Sequence, residues 1–192
     1  MIPADRFPHV EVTSRAELRT WLLAHHEQPD GVWLVTWKKA TGSRWFPHQD
    51  VVDELLCFGW TDGVMQKLDE ERTLQLVTPR RVEHWARSYK RRVEVLTAEG
   101  LMHPSGLRAV ETARASGLWT FMDDVDDLVV PDDLAQALAA RPGARSFFDA
   151  VPPASKRFAL RWIKLAKTDA TRSTRIATTA ALAEQGRRVP GS

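Results

Sequence analysis

Apolar residues recur along this chain with two periods, and the change between them falls near Thr78-Pro79-Arg80-Arg81. Before that point the pattern alternates between period 2 and period 3.6. Phe7–Val12 predicts a short strand, kept at a sheet edge because Pro8 has no N–H for a central ladder. Ser14 with Glu17 three residues on matches a capping box and predicts a helix to about His26, with Leu18, Trp21 and Leu22 on one face. Gln28-Pro29-Asp30-Gly31 ends it. Val32-Trp33-Leu34-Val35-Thr36-Trp37 is β-branched and aromatic and predicts a strand with Trp33, Val35 and Trp37 on one face. Asp50–Phe58 has a broad helical apolar face (Val51, Val52, Leu55, Leu56, Phe58) stopped by Gly59. Trp60–Leu68 and Thr73–Val77 predict two paired strands around an Asp69–Arg72 turn.

After Arg81 every periodic stretch is helical. Helices are predicted over Val82–Glu99, His103–Ser116, Pro131–Ala140, Pro142–Ala150, Ala154–Lys167 and Ala170–Gln185. Asp123–Asp133, with six aspartates, predicts a surface loop and a domain seam; its spacing does not fit an EF-hand. The resulting fold class is α+β: a small N-terminal antiparallel sheet of three or four strands with helices, then a helical C-terminal half. The expected organisation is an α+β domain over 1–82, linking helices packed on it over 83–122, a helical region over 123–186 and a tail over 187–192.

Composition adds little. A 43% apolar and 27% charged chain is ordinary for a globular protein, and a net charge of +2 does not by itself call for nucleic acid. The single cysteine cannot form an intrachain disulfide, which fits a reducing compartment. Met1–Arg6 lacks a signal-peptide core, and no run approaches the ~20 apolar residues of a membrane span, so a cytoplasmic protein without a span is expected. None of the six histidines sits at a metal-ligand spacing, and no phosphate loop, nucleophile elbow or dinucleotide fingerprint is present; neither metal nor cofactor is expected.

Candidate chemistry centres on Cys57-Phe58-Gly59-Trp60-Thr61-Asp62-Gly63. Asp62 before Gly63 is first a turn signal, but a carboxylate beside Trp60 can also face a pocket. Cys57 lies near a helix C-terminus, which disfavours a thiolate. Arg80 and Arg81 offer planar forks for an anion, or a tie to Asp62. Eight tryptophans against one tyrosine imply mostly core filling, or an aromatic pocket. In the last quarter, 11 Lys or Arg from Arg141 to Arg188 face three acids, with Arg157, Arg161, Lys164, Lys167, Arg172 and Arg175 recurring along two helices. A solvated face is the ordinary reading of such a stripe; phosphate or acidic-partner binding is the sharper one.

Four stretches resemble the YdeI/OmpD-associated (bacteriocin-protection, OmdA-like) family. They are Gly31-Val32-Trp33-Leu34 with Lys38-Lys39, Leu56–Gly63, Thr78–Arg81 with Trp85, and Ala166–Arg172 with Arg175-Ile176. Gly100–Leu107 fits as well. Ala86 and Tyr89 stand where the family often carries Ser and Asn, and Thr61 replaces a more usual Ile. The resemblance implies an intracellular bacterial protein with an α+β front and a helical C-terminal region, and no defined reaction. The leading expectation is a small-molecule or peptide binding protein in stress or toxin tolerance. Its site would lie between the sheet and the first helix after it, with Trp33, Trp60 and Trp85 as walls beside Cys57, and Lys38, Asp62 and Arg80 as polar contacts. The alternatives are an enzyme using Asp62 or Cys57 in that cleft, and a nucleic-acid or acidic-partner binder using the basic helices.

Overall fold

The computed structural model describes residues 2–81 and 84–191. The chain forms two compact units, residues 1–120 and 121–192.

The first unit is α+β. In chain order it contains β1 (His9–Glu11), α1 (Arg15–His25), β2 (Val32–Trp37), a 3₁₀ turn (Lys39–Arg44), α2 (His48–Phe58), β3 (Trp60–Lys67), β4 (Arg72–Pro79), α3 (Arg87–Ala98) and α4 (Pro104–Ala115). Half of the expected capping box forms: Ser14 Oγ accepts the Glu17 N–H at 3.2 Å, but the Glu17 carboxylate accepts from the Thr13 N–H at 2.7 Å, one residue before the cap. Gly59 ends α2 with φ 75°, a conformation costly for any residue with a Cβ.

The sheet runs β1-β2-β4-β3. β1 lies at the edge, as Pro8 predicts, but it pairs parallel with β2, whereas an antiparallel sheet was expected. The reason is topological. α1 crosses over between β1 and β2, and a helical crossover returns the chain to the end it left. The other pairings are antiparallel, with a register shift in β3 between Asp62 and Met65. One face, carrying Val32, Leu34, Trp60 and Val77, packs against α1–α4. The other, carrying Trp33, Val35 and Leu74, is covered by Ile2, Ala4 and Phe7 from the N-terminal segment.

The helix expected over Val82–Glu99 begins only at Arg87. His84–Ala86 precede it in non-helical backbone, so Trp85 enters the core from a connecting segment; the expected start at Val82, like the expected boundary at 82, lies outside the described residues.

α4 docks its N-terminus on the C-terminus of α2. His103 N–H donates to the Cys57 carbonyl at 2.9 Å, and Ser105 Oγ donates to that of Phe58 at 2.9 Å. The His103 ring stacks on Phe58, with centroids 4.8 Å apart, and lies against His26 at 4.5 Å. Burial, then the charges of His26, Arg108 and Arg19, push the His103 pKa below its ordinary value, while Glu27 opposes them. The folded unit therefore binds fewer protons than the unfolded chain as pH falls through ~6.5, and loses stability there. We expect wild type to lose more stability than His103→Gln between pH 7.5 and 5.5, read as the shift in urea midpoint; equal losses would remove His103 from the account.

The second unit is helical: α5 (Asp123–Asp126), α6 (Asp132–Ala139), α7 (Ala144–Ala150), α8 (Pro153–Lys164) and α9 (Asp169–Glu184) around Leu134, Leu138, Phe148, Leu160, Ile163 and Ala180. The aspartate-rich stretch, expected as a loop, contains the single turn α5 and opens α6, because carboxylates early in a helix are favoured by its exposed N–H groups. It also pairs with two cations of the basic stripe. Arg172 grips Asp133 with two bonds of 2.8 and 3.0 Å, and Lys164 pairs with Asp124. The Arg172 bonds hold the Asp133 carboxyl below its usual range; burial raises that of Asp124, but Lys164 and the Val125 N–H bring it below. Arg175 donates to the Trp162 carbonyl and lies over its ring.

Candidate functional site

The register of β3 and β4 builds a polar cluster into the helix-facing side of the sheet. Asp62 pairs with Val77, and Gln75 pairs with Leu34, so both side chains point where Val77 and Leu34 point, toward the core. Gln75 is 2% exposed. Its Nε2 donates to His48 Nε2 at 2.8 Å and to Asp62 Oδ2 at 3.4 Å. The opposite amide orientation would aim an oxygen at the Asp62 carboxylate. In the orientation present, Gln75 Oε1 is buried without a hydrogen-bond partner.

Tyr89 of α3 donates its hydroxyl to Asp62 Oδ1 at 2.7 Å. His48, at the first turn of α2, brings Nε2 to 4.0 Å from Asp62 Oδ2. The His48 side chain is 49% exposed and that of Asp62 18%, so solvent reaches the cluster from the His48 side. Arg80 forms the next wall. Its guanidinium lies 3.9 Å from the Trp85 ring centroid and 5.4 Å from that of Tyr89, and donates to Thr61 Oγ1 and the His84 carbonyl, each at 3.3 Å. The planar cation fixes the two rings by stacking. The result is a polar cluster of a carboxylate, an imidazole, a phenol and an unpaired amide oxygen, flanked by stacked aromatic and guanidinium planes.

The residues expected to share a cleft occupy three places. Trp60, Asp62, Arg80 and Trp85 lie on the helix side, with Trp60 and Trp85 in its core. Trp33 packs on the opposite face, its Nε1 donating to the Pro3 carbonyl at 3.3 Å. Lys38 closes the far end of β2, where Nζ donates to the Asp69 and Glu70 carbonyls at 2.8 and 2.9 Å. Cys57 is fully buried. Burial and then the Glu54 carboxylate push its thiol up to about 11, against Arg19 and Arg15, so at neutral pH it is a protonated core group.

Sequence reasoning missed His48 and Gln75. His48 was noted only for lacking a metal spacing. Gln75 carried a usable signal: it takes the inward register of Val77 and sits between Leu74 and Leu76 in the middle of the strand. Tyr89 and Thr61 were visible as departures from the resembled pattern, and both touch this cluster. Among the described residues no group of three or more His, Cys, Asp or Glu is placed to hold a metal ion, and no helix is long and apolar enough to cross a membrane.

Residues 10–109, more than half of the chain, match the family described as Domain of unknown function (DUF8412). The chain belongs to this family. Residues 127–186 match a second model, Bacteriocin-protection, YdeI or OmpD-Associated, and contain the Ala166–Ile176 stretch that carried the resemblance in the helical half. The polar cluster, from His48 to Tyr89, lies wholly within the DUF8412 match. No curated protein and no solved structure matches the chain.

Proposed function

We propose that this DUF8412 protein binds a small molecule at the Asp62–Gln75–His48–Tyr89 cluster. The observation that carries the reading is the Gln75 amide. A buried acceptor without a partner costs roughly 1–3 kcal/mol, and such a group persists where something other than stability retains it. Asp62 and Gln75 Oε1 are both acceptors, so the fitting ligand is a compact molecule with hydrogen-bond donors, an amine or a polyol, with an edge that stacks beside Tyr89 and Trp85. The bacteriocin-protection description of residues 127–186 supports placing this binding in tolerance of a toxic peptide or similar stress.

The geometry favours binding over catalysis. The Asp62 oxygens already accept hydrogen bonds from Tyr89 and Gln75, and the Cys57 thiol is sealed in the core. The basic-helix alternative is weakened because Lys164, Arg172 and Arg175 are engaged within their own unit.

The test is tryptophan fluorescence of the purified chain titrated with a panel of amines, amino sugars and polyols, followed by thermal shift. The expected result is a saturable change with at least one panel member, weakened about tenfold or more by Asp62→Asn and by His48→Ala. Lys38→Ala serves as the control. Lys38 is six residues along β2 from Val32, the position level with Asp62, or ~20 Å at about 3.3 Å per residue. No response to any member, or hits that survive both variants, would contradict the proposal.

A further inference from the structure

The second unit contains a recess lined entirely by its own residues. It is a groove between α7, α8, α9 and the segment after α9, and the roughly 260 Å³ of space within it is in part open solvent. Its walls are apolar, led by Phe147, Phe148 and Val189. Its polar groups are Arg187, Arg188 and two hydroxyls, with no acid among the lining residues.

The hydroxyls differ. Thr179 Oγ1 donates to the Arg175 carbonyl at 2.8 Å and is spent. Ser155 is 5% exposed; its Oγ accepts from Arg188 Nη1 at 3.1 Å, and its own proton has no acceptor among the described residues. Among the described residues the Arg187 side chain bonds only the Gln185 amide oxygen, at 3.4 Å. Among the described residues, the acidic side chains nearest in sequence are already engaged: Asp149 with Arg145 and Glu184 with Arg141, both at 2.7 Å. The recess thus gathers donors from Ser155 and Arg188, with Arg187 beside them, and no acidic side chain is among its described lining residues.

We infer that this recess binds a small monocarboxylate with an apolar body, the body against Phe147, Phe148 and Val189 and the carboxylate between Ser155 and Arg188. The guanidinium fork matches the two carboxylate oxygens, and the buried hydroxyl gains the acceptor it lacks. The apolar walls exclude a bare inorganic anion as the best occupant, because it would leave them wetted.

The probes are hexanoate, 1-hexanol and inorganic phosphate, added to the full chain and followed by methyl NMR shifts at Ala159, Ala183 and Val189. Hexanoate is expected to give saturable shifts below a concentration on the order of 10 mM, with 1-hexanol and phosphate each weaker by about tenfold. Arg188→Gln is expected to weaken hexanoate about tenfold, and Ser155→Ala, which is less intrusive, severalfold. Asp62→Asn should leave hexanoate binding unchanged, which separates this site from the first. Three results would overturn the inference: no saturable shift, 1-hexanol binding as well as hexanoate (an apolar hole only), or phosphate binding as well as hexanoate (loose surface attraction only). Retained affinity in both Arg188→Gln and Ser155→Ala would do the same.

Discussion

Gly106→Ala is expected to destabilise the first unit by roughly 3 kcal/mol, the upper end of ordinary overpacking. A Cβ at position 106 would lie 2.2 Å from the Cys57 carbonyl oxygen, 2.7 Å from its carbon and 2.8 Å from the Leu56 oxygen. These are backbone atoms at the end of α2 and cannot swing aside. α4 would have to lift away, lengthening the His103 N–H bond to Cys57 and the Ser105 bond to Phe58. Gly100→Ala is the matched control: its φ is +69° and nothing lies within 4 Å, so only local strain of about 1–2 kcal/mol is incurred. Urea unfolding by tryptophan emission reports the right unit, because seven of the eight tryptophans lie within residues 1–120. Equal losses in the two variants would mean that α4 does not seat on α2 as described.

Glu54→Ala should cost about 2–3 kcal/mol, less than the 3–5 of a fully buried pair because water still reaches the partners. Glu54 is 1% exposed on the apolar side of α2, and accepts from Arg15 Nε at 2.7 Å and Arg19 Nη1 at 2.9 Å. The two arginine side chains are 36% and 33% exposed. Arg19 also donates to the Leu101 carbonyl at 2.8 Å, so the carboxylate ties α1 to α2 and to the segment before α4. Truncation leaves a cavity and two cations without their shared partner. Glu54→Gln keeps the shape and one acceptor, and should cost roughly half as much. A loss in Glu54→Ala no greater than ~0.5 kcal/mol, the scale of a surface pair, would contradict this role.

These two joints explain what the chain reveals in one dimension and what it hides. Helix ends were legible wherever a local rule sets them. Ser14 starts α1 by accepting the Glu17 N–H, with the Glu17 carboxylate holding Thr13, and Gly59 stops α2 by its positive φ. Strand parity was legible too, since Trp33 and Val35 share a face. Which face meets the helices was not, because parity within one strand does not say what packs on either side. That is why Trp33 was grouped with Trp60 and Trp85, although it lies across the sheet from them. The parallel pairing of β1 was hidden for a similar reason, since it depends on where α1 lands. The polar cluster is non-local: His48, Asp62, Gln75 and Tyr89 come from four elements, so no spacing announces them. The Asp133–Arg172 grip joins two charge runs that looked like separate surface features when read in order.

The central claim is that Gln75 is kept for a ligand and not for the fold, and the stability of Gln75→Met measures this most directly. Methionine fills a similar volume and removes the unpaired Oε1; water can serve His48 and Asp62 in place of Nε2, since both touch solvent. The account predicts that Gln75→Met is more stable than wild type by about 1 kcal/mol in urea unfolding, and that it loses the response to the amine and polyol panel. A variant destabilised by about 1 kcal/mol or more would make Gln75 a structural member of the sheet and contradict the claim.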